Sequence, residues 1–216
     1  MDLVQTIVLW AVPVVFAITL HEAAHGYVAR MFGDQTAWML GRVTLNPIKH
    51  IDPVGTVAVP AMLLVMGSPF LFGWAKPVPV NFGNLRNPKR DMLWVAGAGP
   101  LANFVMALGW AVLFKVTSTG AIFPSDGLSA MALAGIQINL VLMALNLLPI
   151  LPLDGGRIAV SLLPQRLAAA YAQTERYGFI VILALLVLNP YLGVLDALMR
   201  PILGVARSAI GLLVGL

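Results

Sequence analysis

Long apolar runs separated by short polar stretches set the pattern of this chain. The first runs from Leu3 to Leu20 and continues through His21-Glu22-Ala23-Ala24-His25 to about Ala29. The second, residues 54–73, contains Pro60 and the breaker Gly67-Ser68-Pro69. The third, Met92 to Phe114, carries no charge, and neither does the fourth, Leu128 to Leu153, which holds Gln137, Asn139 and Asn146. A fifth spans about Ala168 to Leu188 and stops at the turn signal Asn189-Pro190. The last, Tyr191 to Leu216, is interrupted by Asp196, Arg200, Pro201 and Arg207. Runs of about 20 apolar residues match a membrane-crossing helix. The pattern predicts an all-α polytopic membrane protein with about five to six transmembrane or re-entrant helical segments. It shows no internal repeat and no room for an inserted soluble domain. A single domain over residues 1–216 is expected, with a core over 4–165 and C-terminal helices over 166–216.

Composition agrees. Of 216 residues, 60% are hydrophobic and 10% charged, where soluble domains carry about 25% charged residues. Mean hydropathy is +0.91. The absence of cysteine excludes disulfides, thiol nucleophiles and thiolate metal sites. The net charge of +4 does not point to nucleic acid, because the basic residues sit between apolar runs and are not interleaved with aromatics. No cleavable signal peptide is expected, since Asp2 replaces a basic leader.

Charge placement selects a topology. If residues 54–73 crossed once, Arg30, Arg42 and Lys49 would lie opposite Lys76, Arg86, Lys89 and Arg90. If that segment dips in and returns, both groups share a side with Arg157, Arg166 and Arg176, against Lys115 alone. The second arrangement fits the positive-inside rule better, with the N-terminus outside and residues 30–91 cytoplasmic. Irregular backbone in such a hairpin must be shielded by protein.

The candidate chemistry lies at His21-Glu22-Ala23-Ala24-His25, an HExxH pattern. On a helix, residues i and i+4 share a face, so both imidazoles reach one ion, and Glu22 lies where it can take a proton from water. Random placement of so few His and Glu residues gives this pattern roughly 4 times in 10,000. Ionisable groups inside an apolar span are costly and functional by default. Zinc needs a third protein ligand. His50, Glu175 and the aspartates are available, and Asp154 stands out. It closes the uncharged fourth stretch, and Gly155-Gly156 allow close backbone approach. His21 lies about 25 Å along the first helix from Val4, so depth and charge asymmetry both bring Asp154 toward the two histidines. The bland alternative for Asp154 is a turn residue.

The HExxH motif, Gly99-Pro100-Leu101-Ala102-Asn103, and Asn146-Leu147-Leu148-Pro149 leading to Leu153-Asp154-Gly155-Gly156-Arg157 together resemble the site-2 protease family of intramembrane zinc metalloproteases. The resemblance covers about residues 15–165 in order and spacing. It implies one zinc ion per chain held by His21, His25 and Asp154, with Glu22 as general base. It implies that Asn146 positions substrate or stabilises an oxyanion. It also implies a small membrane-associated β segment near the zinc site, for which Trp74 to Asn81 is suited. No PDZ or CBS domain is recognised. The expected reaction is hydrolysis of a peptide bond within or near a transmembrane segment of a membrane-protein substrate. The expected setting is a prokaryotic inner membrane, with the site toward the cytoplasm. A substrate helix must unwind to expose its peptide bonds, and an edge strand at residues 78–81 would satisfy the freed groups.

A metal-ion or proton transporter is the competing reading, but one compact site without inverted repeats speaks against it. An inactive zinc scaffold would have no use for Glu22. His50 reads as a loop anchor more than a metal contact. Asn103 reads as a link between helices more than a brace for the site, and Gly97-Ala98-Gly99 as packing. Asn139 and Gln137 are candidates to line a water-filled cleft, and Glu175-Arg176 reads as a solvated helix start.

Overall fold

The computed structural model describes residues 3–66, 73–119 and 125–215. Its first helix, α1, runs Leu3–Met31. Gly33 ends it with φ of 112°, a left-handed conformation that favours glycine, while the Asp34 N–H closes back on the Ala29 carbonyl at 3.0 Å. A one-turn α2 (Thr36–Met39) follows. Pro47–His50 forms a short 3₁₀ turn capped by Asn46, and Pro53–Ala58 a π-helical turn capped by Asp52. The latter continues into α3 (Val59–Val65).

The apolar helix Pro53–Leu63 extends only about 16 Å at 1.5 Å per residue, too short to cross a membrane by itself. The chain then comes back to where it started. The Trp74 N–H donates to the Gly55 carbonyl at 3.0 Å, and the Trp74 indole lies where a Cβ on Gly55 would be. Gly55 and Trp74 therefore lie side by side. The Gly67-Ser68-Pro69 break lies outside the described residues.

Four long or short helices complete the bundle's middle: α4 (Pro88–Ser118), α5 (Asp126–Asn146), α6 (Asp154–Leu162) and α7 (Gln165–Ala172). Two more, α8 (Glu175–Leu192) and α9 (Val194–Val214), end the chain. Helices α1, α4, α5, α8 and α9 are long and apolar enough to cross a membrane. The centre is a tight α1–α4–α5 packing, in which small residues let backbones approach. Beside it, Ala107 and Ala111 of α4, Leu140 and Met143 of α5, and Ala206 and Ile210 of α9 form an apolar cluster. Trp110 fills the space a side chain at Gly135 would need.

The last two helices are arranged differently from two simple crossings. Leu195 and Met199 of α9 cluster with Ala144 and Leu148 at the end of α5. At its far end the Lys115 Nζ donates to the Val214 and Gly215 carbonyls at 2.5 and 3.2 Å. Helix α9 therefore runs parallel to α4. Helix α8 begins where Gly178 packs against the Leu151 carbonyl, so both its ends lie at the same end of the bundle as the 147–153 loop.

The expected β segment needs correction. No strand occurs among the described residues, and 73–81 is extended without a ladder. Pro77 and Pro79 have no N–H to give, and several of the other donors are used elsewhere. Lys76 N–H reaches the His50 carbonyl at 2.9 Å, Val78 N–H the Glu22 carboxylate at 2.7 Å, and Asn81 N–H the Asp34 carboxylate at 2.7 Å.

Candidate zinc site

Three separated parts of the chain meet at one end of the bundle. Helix geometry puts His21 and His25 on the same face of α1, with ring centroids 4.7 Å apart and planes at 82°. The 147–153 loop carries Asp154 in as the first residue of α6, where the helix N-terminus favours a carboxylate. A Cβ at Gly155 would strike the Leu147 carbonyl, so only glycine permits this fold of the loop. Asp154 Oδ2 lies 3.3 Å from both His21 Nε2 and His25 Nε2, and the two Nε2 atoms are 3.1 Å apart.

These residues fit a zinc ion. The His25 Nδ1 lies 2.7 Å from the Val95 carbonyl, which can only accept, so Nδ1 carries the proton and Nε2 a lone pair. Asp154 Oδ2 is buried with no hydrogen-bond partner. Lone pairs gathered this closely repel unless a cation lies between them. Tetrahedral zinc with bonds of about 2.0–2.1 Å holds its ligand atoms roughly 3.3–3.4 Å apart, close to the spacing seen. Among the described residues this is the cluster able to hold a metal.

The cluster opens into a cleft of about 870 Å³ lined by Glu22, Trp74, Val78, Asn146, Arg157 and Phe179 among others. Glu22 sits in the cleft beside the cluster, its Oε2 accepting from Val78. Asn146 lines the same space while its Nδ2 donates to the Leu142 carbonyl at 3.0 Å. Gln137 and Asn139 are not in the lining: Gln137 is exposed on the outside of α5, and Asn139 is fully buried between helices. His50 is also elsewhere. It is buried, with Nε2 at 3.0 Å from the Thr44 carbonyl, and it anchors the loop that receives Lys76. Glu175 is not merely solvated, since it pairs with Arg157 at 3.0 Å and ties the start of α8 to α6.

Two features of the site were not legible as such. Gly99 of α4 lies directly over both imidazoles, and any Cβ there would collide with them. Asn103 accepts from His21 as well as joining helices. The shared Gly-Pro-x-x-Asn motif signalled both positions but not their contact with the histidines.

Asp34 braces the approach. Buried to 1% exposure, it accepts from Thr36, Asn81 and Asn84. Burial works against its charge, but these donors outweigh it and hold the carboxyl below its ordinary range. On the other side, the Tyr171 hydroxyl donates to the Pro149 carbonyl at 2.5 Å, and burial raises its pKa.

Apolar crossing helices that gather two histidines, a glutamate and a distant aspartate define an integral membrane metallohydrolase. Comparison with known proteins gives the family. The profile of Peptidase family M50 matches residues 116–189, which include Asn146 and Asp154. "Putative zinc metalloprotease YwhC" of Bacillus subtilis is 45% identical over 181 residues, covering 82% of this chain and 78% of the relative. "Putative zinc metalloprotease Rip2" of Mycolicibacterium smegmatis is 30% identical over 174 residues, covering 79% of this chain and 63% of the relative. Rip2 of Mycobacterium tuberculosis is 28% identical, with 62% of the relative covered, so the chain spans less than two thirds of the Rip2 proteins. No solved structure matches. The chain belongs to peptidase family M50, the site-2 protease family, and is a zinc metalloendopeptidase.

Proposed function

We propose that this protein hydrolyses a peptide bond within or near a transmembrane segment of a membrane-protein substrate. The observation that carries the reading is the convergence of His21 Nε2, His25 Nε2 and Asp154 Oδ2 beside Glu22 in a cleft among apolar helices. His21, His25 and Asp154 hold one zinc ion. When bound, the ion supplies Lewis acidity and one coordination position open to water. Glu22 takes the proton from the attacking water and returns it to the leaving amine. The Val78 N–H on Glu22 holds that carboxylate in place between transfers. Asn146 offers an amide to the substrate carbonyl as charge develops on it. The substrate lies extended along residues 73–80, chiefly through side-chain contacts, because much of that segment's backbone is already engaged.

Arg30, Arg42, Lys49, Lys76, Arg86, Lys89, Arg90, Arg157, Arg166 and Arg176 lie at or beyond the helix ends near the site, whereas Lys115 and Arg207 lie in the halves of α4 and α9 nearer Val214. This distribution supports a site facing the cytoplasm of a prokaryotic inner membrane, with both chain ends on the opposite side. The test is a reconstituted cleavage assay on a single-span substrate. Glu22→Gln should abolish cleavage while zinc stays bound. Undiminished processing by Glu22→Gln would reject the proposed role of the base. The transporter reading finds no support among the described residues, which hold a single ligand cluster and no series of sites across the bundle.

A further inference from the structure

His21 owes its orientation to residues on two other helices. Its Nδ1 lies 2.5 Å from Asn103 Oδ1 of α4. Asn103 Nδ2 donates to the Ala17 carbonyl at 3.2 Å and to Asn139 Oδ1 of α5 at 2.9 Å. Asn139 Nδ2 donates in turn to the Gly135 carbonyl at 2.9 Å. Both asparagines are fully buried.

The direction of every bond in this chain follows from its two ends. Backbone carbonyls only accept. The Gly135 carbonyl therefore requires the Asn139 amide nitrogen to face it, leaving Oδ1 toward Asn103. The Ala17 carbonyl and Asn139 Oδ1 then take both Asn103 N–H groups. What remains for His21 is Asn103 Oδ1, an acceptor. His21 must present Nδ1–H to it, and its Nε2 must carry the lone pair aimed at Asp154 and His25. Flipping either amide would set oxygen against a backbone carbonyl oxygen.

We infer that Asn103 and Asn139 form a two-amide relay that fixes the His21 tautomer and aims Nε2 at the zinc position. They are positioning residues, and the inference rests on His21 being a ligand. Joining α4 to α5 needs only the Asn103–Asn139 bond. The additional bond to His21 ties helix packing to metal affinity, and outer partners of metal-bound histidines commonly govern that affinity.

The test measures zinc affinity by chelator competition on the purified full chain in detergent, with cobalt substitution to read ligand geometry from the visible spectrum. Asn103→Ala should weaken zinc binding by about 10–100-fold and alter the cobalt spectrum. Asn103→Asp keeps an acceptor for Nδ1–H but sets its second oxygen against the Ala17 carbonyl and Asn139 Oδ1, so it should retain more zinc affinity than Asn103→Ala while melting at a lower temperature than wild type. Asn139→Ala should weaken binding several-fold alone and add nothing in the Asn103→Ala background, as coupled residues do. If Asn103→Ala does not fold, Asn139→Ala and Asn103→Asp carry the comparison. Wild-type affinity and spectrum in Asn103→Ala and Asn139→Ala, with only a lower melting temperature, would reduce both to helix joints and overturn the relay. His21→Ala separates the two layers. If it retains zinc, the ligand assignment fails. If it loses zinc while Asn103→Ala does not, the relay alone fails.

Discussion

Adding one methyl group at Gly99 tests the site without replacing a ligand. A Cβ there would overlap His25 Nε2 and both His21 Nε2 and Cε1, closer than real Cβ atoms come to any neighbour. To regain an ordinary contact of about 3.5 Å, the imidazoles would retreat by roughly 1 Å. They have nowhere to go unchanged, because Asn103 holds one from behind and the Val95 carbonyl the other. Ligand distances tolerate about 0.2 Å. Gly99→Ala should therefore lower zinc affinity by at least about 100-fold, or about 2.7 kcal/mol, and overpacking adds roughly 1–3 kcal/mol of destabilisation. Gly97 is the internal control. It lies one half-turn away in the same helix, and a Cβ there meets nothing within 4 Å. Gly97→Ala should leave zinc binding unchanged and stabilise the helix slightly. Both variants would be assayed by zinc titration against a competing chelator and by thermal melting. Equal zinc affinity in the two would refute the placement of α4 against the histidines.

Other outcomes follow from the same contacts. Asp34→Ala strands the N–H groups of Thr36 and Asn81 and should cost about 2–5 kcal/mol in chemical denaturation. The depressed pKa of Asp34 means its contribution is fully present above the ordinary carboxyl value of about 3.9 and is lost as pH falls through the lower folded value. Asp34→Asn should accordingly flatten the acid limb of stability against pH, and an unchanged limb would exclude this role. Gly178→Ala would force a methyl into the Leu151 carbonyl and should lower the melting temperature and loosen α8, read as faster proteolysis near residue 175. Stripping zinc with a chelator should lower the melting temperature reversibly, by the equivalent of about 4 kcal/mol when free zinc had stood at 1,000 times Kd.

The features written locally were readable from residue order. HExxH places two imidazoles by helix geometry alone, and a lone aspartate before two glycines marks a chain able to approach closely. The failures have physical causes. Residues 147–153 are as apolar as the helix before them, so hydropathy ran the fourth stretch on to Leu153, whereas α5 ends at Asn146 and Asp154 opens α6. Val78 and Val80 alternate as strand residues do, but the prolines between and beside them cannot join a ladder. The course of the last stretch, Tyr191 to Leu216, was not legible in the sequence, and the contacts of Leu195 and Met199 with the end of α5 are what orient α9. Asn139, one of two candidates to line a water-filled cleft, instead supports Asn103, a relation set by three-helix packing that no single stretch encodes.

The central claim is a single zinc ion shared by α1 and α6. Diffraction from the purified, zinc-loaded protein at the zinc absorption edge tests it most directly. The account predicts one anomalous peak per chain within about 2.0–2.2 Å of His21 Nε2, His25 Nε2 and an Asp154 carboxylate oxygen. A peak elsewhere, or one bound by the histidines with Asp154 out of reach, would contradict it.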